Sequence, residues 1–334
     1  MSSTRLWLSL VALTLTGGLA ACSSGGSSTA LAPVPSAPPP SVAAVFTSGI
    51  TASAALDDAV AGPDGRIWFT EFNASKVAAV TTGGAVTEYP VSGQPCGIAV
   101  GPDGNLWTGG YGGTIAKITT SGTVTGYPVA GAHVCGIISG PGGVLWFADY
   151  GNAKVGAITT GGAVTEYALP PGANPYGGIA VGSDGNVWVP DGGNHTILQI
   201  SPLGTVLHAY GSGISAGEAP NFIVEASDGN LYFTEDASST SIQDKVGRIT
   251  PAGVITEIGT LAPQSYPNEI RIGKDGNAYF TEYSSAKLGK VTIATGTVSE
   301  SSPGLGPTAN SAIAAGPDGR LWIGGFQTIY ALSY

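Results

Sequence analysis

Acidic side chains recur nine positions after a repeated turn: Glu71, Asp149, Asp191, Glu235 and Glu282, with glycine in the two remaining copies. The turn reads "GPDG" or a near copy and begins at Gly62, Gly101, Gly140, Gly182, Ala226, Gly273 and Gly316. Five positions before it stand Asp57, Cys96, Cys135, Gly177, Asn221, Asn268 and Ser311. Hard cations take oxygen ligands, so Glu71, Glu235 and Glu282 with the Asn221 and Asn268 side chains form a candidate Ca²⁺ or Mg²⁺ site. Crowded carboxylates otherwise take up protons, pair with cations or turn to hydrogen-bond partners and solvent. That alternative makes each acid a support for the neighbouring backbone. Asp57, Asp58, His133, Asp149, Asp191, His195 and Glu269 join them as a candidate ligand-binding rim. His133, His195 and His208 are the only histidines, too dispersed for a tight multi-histidine metal centre, and His208 reads as solvated.

These residues can meet only if the chain folds back on itself many times. Successive turns are 39, 39, 42, 44, 47 and 43 residues apart, a period that signals a repeat architecture. Each copy holds four short β-rich runs, of the kind "CGIAV", "NLWFT", "AKVGAIT" and "AVTEYPV", with no helical periodicity. Four-stranded units of this length are propeller blades. The expected fold is all-β: a seven-bladed β-propeller of four-stranded antiparallel blades. Trp68, Trp107, Trp146, Trp188 and Trp322 share one register, with Tyr232 and Tyr279 in the other two copies. One large ring per blade reads as blade-to-blade packing. The last copy ends one strand short, and "VAAVFTSG", 42–49, is a spare strand before the first blade. Pairing the two closes the ring and removes an exposed edge. In a blade the first strand crosses from one face and the second returns, which brings the positions before strand one and after strand two to one channel mouth.

At a channel radius of ~6–7 Å, neighbouring blades at this register lie ~5–6 Å apart, within disulfide range. Cys96 and Cys135 occupy equivalent places on adjacent blades, so a disulfide is expected. Blade five carries five extra residues between Glu235 and Lys245 on the same face, where repeat proteins keep binding loops.

The chain has 334 residues, 22 acids against 12 Lys and Arg, and a net charge of −10. That balance argues against nucleic acid as a partner and favours neutral or cationic ones. Arg5 precedes the apolar stretch "LWLSLVALTLT", and "LAAC" ending at Cys22 resembles a bacterial lipobox. The implied layout is a lipoprotein signal peptide over 1–21, a Ser/Gly/Pro/Ala tether over 22–41 lipidated at Cys22, and a propeller over 42–334. The expected location is the bacterial cell envelope, at the outer membrane or cell surface, as a lipid-anchored monomer.

The repeats "GPDGNLW", "FTE", "KVGRIT" and "GAVTEYP" resemble the virginiamycin B lyase family and, more distantly, NHL-type propellers. The family resemblance implies opening of a cyclic depsipeptide at its ester by elimination, with a divalent cation and a general base. It implies a Glu-x-His at one blade entrance, a Glu ending that blade's second strand, and a His at the preceding entrance. Glu282 matches the strand-ending Glu. The entrance instead reads Tyr266-Pro267-Asn268, and Asn221 stands for the preceding His. An amide takes no proton at neutral pH, so the general base has no counterpart there. Nucleophile-elbow, phosphate-loop and zinc-protease motifs are absent too. The expected function is a tethered propeller binding a small molecule, glycan or envelope protein at an acidic mouth, with or without a divalent cation. The alternatives are a lyase, a metal-dependent lactone- or ester-cleaving enzyme, and an envelope scaffold.

Overall fold

β-branched and aromatic runs between Gly-rich turns become antiparallel strands in every repeat. The computed structural model describes residues 38–237, 242–306 and 311–334, and the propeller unit runs from Pro38 to Tyr334. Strands β1 to β28, in chain order, form seven four-stranded antiparallel sheets. Blade one is β2 (Leu56–Ala61), β3 (Ile67–Glu71), β4 (Lys76–Val80) and β5 (Val86–Pro90), counted from the centre outward. The innermost strands of the next five blades are β6 (Pro95–Val100), β10 (Val134–Gly140), β14 (Ala180–Val181), β18 (Glu218–Glu225) and β22 (Pro267–Ile272). Blade seven is β26 (Ala312–Ala315), β27 (Leu321–Gly324), β28 (Ile329–Ser333) and, outermost, β1 (Ser41–Phe46). Consecutive innermost strands touch all the way round, β26 returning to β2, so the ring closes on a central channel. The closing strand pairs Ser41 with Ser333 through Phe46 with Ile329. The expected signal peptide, Cys22 and the expected tether up to residue 37 lie outside the described residues.

The repeated turn also has a side-chain reason. Trp68, Trp107, Trp188 and Trp322 each donate their indole N–H to the turn Asp, at 3.1, 3.0, 3.2 and 3.1 Å. Tyr232 and Tyr279 donate their hydroxyls to Asp228 and Asp275. Blade three has Gly142 in place of the Asp, and Trp146 donates to the Pro141 carbonyl instead. Each ring is fully buried and packs on the following blade, as Trp188 does with Phe233 and Tyr232 with Phe280. A fourth-strand Tyr stacks on the ring in four blades, for example Tyr89 on Trp68 at 5.4 Å. In blade seven the closing strand supplies Phe46 for that place, also 5.4 Å from Trp322. The next turn accepts the ring edge only because it holds glycine: a Cβ on Gly122, at φ +96°, would meet Tyr89 at 2.3 Å.

Candidate functional site

The innermost strands do not begin in regular register. β2, β6, β10, β18 and β22 each slip at their entrance, between Leu56 and Ala59, Pro95 and Gly97, Val134 and Gly136, Pro220 and Ile223, and Pro267 and Ile270. A bulge re-aims its side chains and leaves backbone groups unpaired. The Thr of two "FTE" runs answers part of that need: Asp58 N–H donates to Thr70 Oγ1 at 2.9 Å, and Phe222 N–H to Thr234 Oγ1 at 3.2 Å, while Thr281 donates to the Ser311 carbonyl of the next blade. The bulges turn Asp57, Cys96, Cys135, Asn221 and Asn268 toward the mouth, where they line one cavity with Ser311. Cys96 and Cys135 are joined by a disulfide, their Cα atoms 4.8 Å apart.

The cavity measures about 430 Å³. Its walls are aromatic: Phe72, Tyr176, Phe222, Tyr266, Tyr283 and Phe326 all line it. Phe72 also starts an arc of ring contacts around the rim, through Tyr111 at 5.1 Å, Tyr150 at 5.6 Å and Tyr176 at 5.2 Å. His133 packs between Tyr111 and Tyr150, at 5.0 and 5.1 Å. Two carboxylates open into the cavity, Asp57 and Asp236. Burial pushes Asp57 up to about 7, with the Asp58 charge adding to it. Burial also pushes Asp236 up to about 7, helped by Asp244.

The acids that end the second strands sit elsewhere than their spacing implies. Glu71, Glu235 and Glu282 are fully buried and do not line the cavity. Each turns into its own blade: Glu71 beside Glu88 and Lys76, Glu235 beside Glu257 and Lys245, Glu282 beside Glu300 and Lys287. Side chains alternate along a strand, so the residue that reaches the mouth is the next one: Phe72, Asp236 or Tyr283. The joint cation site of Glu71, Glu235, Glu282, Asn221 and Asn268 is therefore corrected to three separate clusters and two amides. Among the described residues no three His, Cys, Asp or Glu side chains converge to hold a metal ion. Asp149 and Asp191 are loop supports. Asp149 accepts from His133 N–H, Asn152 N–H and the Asn152 amide, and Asp191 from Asn174 N–H, Asn194 N–H and the Asn194 amide. His195 Nδ1 lies 2.6 Å from the Glu218 carbonyl oxygen, away from the mouth. Asp58 and Glu269 follow the mouth residues down the channel and pair with Arg271. Asp58 also accepts from Ile98 N–H, and Glu269 from Ile313 N–H, each across to another blade.

The virginiamycin B lyase family model matches residues 48–207, 92–242 and 171–328. The chain belongs to the virginiamycin B lyase family. A streptogramin B lyase structure is 28% identical, with a TM-score of 0.78 over 87% of this chain and 96% of that one. Virginiamycin B lyase from Staphylococcus aureus is 26% identical, with a TM-score of 0.76 over 84% and 96%. A catalytically inactive His-to-Ala variant of that enzyme, with quinupristin, is 25% identical over the same shares, also at 0.76. No curated protein sequence matches the chain. The cation and base that the family resemblance implies do not fit the residues here. Asn268 donates its amide to Ser311 Oγ at 2.6 Å and Asn221 to Asp236 at 3.1 Å. Glu282 is buried and accepts from Ser285 at 2.6 Å. Five of the rim aromatics, Phe72, Tyr111, Tyr150, Tyr283 and Phe326, stand one position beyond the strand-ending acid register; Tyr176, Phe222 and Tyr266 come from the strand entrances.

Proposed function

We propose that this protein is a lipid-anchored, cell-envelope binding protein that takes a small ligand into the channel mouth and lacks the lyase chemistry of its family. The observation that carries this reading is the cavity itself: aromatic walls, a few polar groups and no histidine at the Tyr266-Pro267-Asn268 entrance. Pockets of this size and lining are what small ligands occupy. A tether ending at Cys22 would hold the mouth off the membrane. Saturation-transfer NMR with a panel of neutral aromatic and nitrophenyl-glycoside fragments tests it. Hits should compete with one another and disappear in Tyr176→Ala; hits that survive that change put the ligand site elsewhere.

A second reading rests on Asp57 and Asp236, since carboxyls held near neutrality in a cleft suit general acid–base work. Incubation with a streptogramin B depsipeptide distinguishes the two. A ring-opened product that is lost in Asp57→Asn or Asp236→Asn supports the enzyme; intact depsipeptide supports the binding protein.

A further inference from the structure

The mouth combines aromatic walls with carboxylates, and among the described residues no Lys, Arg or His lines it. Around Asp57 stand Asp58, Ser311, Tyr111 and Tyr176. The one cation below, Arg271, is engaged by Asp58 and Glu269. Around Asp236 stand Asn221, Asp244, Glu218 and Tyr176. Asn221 donates to one Asp236 oxygen, and the other is buried with no partner among the described residues. Among the described residues, the charges that act directly on Asp57 and Asp236 are thus all carboxylates. Desolvating such groups further under a neutral ligand costs free energy, and an anion would be repelled. A cation reverses both effects, and the ring faces add cation–π attraction. The net charge of −10 draws the same class of ligand to the surface.

We propose that the mouth selects an organic cation, an amine or quaternary ammonium on an apolar body, offset by Asp57 and Asp236 and packed against the aromatic rim. This rests on the reading of the mouth as a ligand site. Choline and its uncharged carbon isostere, 3,3-dimethylbutan-1-ol, differ in charge at nearly constant shape, and their affinities can be compared by calorimetry or ligand-observed NMR. At about pH 8, where both carboxyls ionise, choline should bind at least about tenfold more tightly. The preference should vanish in the Asp57→Asn, Asp236→Asn double variant and shrink at about pH 5.5, as the carboxyls protonate. Equal affinity of the two compounds, or a choline preference that survives the double variant, overturns the inference and leaves the ligand site standing. If neither compound binds while the neutral fragments still do, cation selection is likewise overturned. Loss of the fragments as well removes the ligand-site reading itself.

Discussion

Replacing Glu71 by Gln should stabilise the propeller at neutral and alkaline pH. The Glu71 side chain has no exposure, and neither carboxyl oxygen accepts a hydrogen bond. Burial, then the neighbouring Glu88 charge, moves its pKa from 4.5 to about 8, with Lys76 pulling the other way. A carboxyl raised in the fold binds its proton more tightly there than in the unfolded chain. Its stabilising contribution is therefore complete below about pH 4.5 and is lost as pH rises to about 8. At pH 7 the fold must keep a proton that the unfolded chain has released, which costs roughly 3 kcal/mol at about 1.4 kcal/mol per tenfold. Gln imitates the protonated acid and escapes that cost. Urea unfolding at about pH 5, 7 and 8.5 measures it. Glu71→Gln should gain little at the lowest pH, roughly 2–3 kcal/mol at about pH 7, and about 1 kcal/mol more at about pH 8.5. Equal destabilisation at all three would refute the reasoning. Ca²⁺- or Mg²⁺-dependent stabilisation present in the wild type and absent from the variant would restore Glu71 as a cation ligand.

Two further changes probe the other acids by thermal unfolding. Asp149 shares the Glu71 register but holds three donors, so Asp149→Ala should destabilise by roughly 2–4 kcal/mol, because those donors lose their acceptor; a change near zero would mean the loop resolves itself with water. Arg271→Ala should cost roughly 3–5 kcal/mol at neutral pH by leaving Asp58 and Glu269 buried without their cation, and less at about pH 5. Burial already holds Glu269 well above the ordinary carboxylate range, against the pull of Arg271, so a loss that grows on acidification would contradict the pairing.

The fold was legible in the sequence because each copy carries its own turn, ring and strand pattern, and seven copies agree. The ring of strand entrances was legible too, since Asp57, Cys96, Cys135, Asn221 and Asn268 follow from register alone. The second-strand acids were not, because spacing fixes the end of a strand and not the side it presents. Glu71 and Phe72 are neighbours in sequence and face different environments: one looks into its blade, the other into the cavity. Nor does spacing reveal a partner such as Arg271, which reaches Asp58 across 213 residues.

Positions that are alike in most copies here do scaffold work: the Trp or Tyr ring and the turn Asp beneath it. The positions five before the turn hold five residue types across the seven copies, running Asp, Cys, Cys, Gly, Asn, Asn, Ser. Those are the residues that face the cavity, with Gly177 alone not lining it. Sevenfold repetition would make a symmetric mouth with no orientation for a ligand. Divergence at this one register breaks the symmetry, putting the disulfide on one side and the amides and Ser311 on the other. Recognition here is built from what the copies do not share.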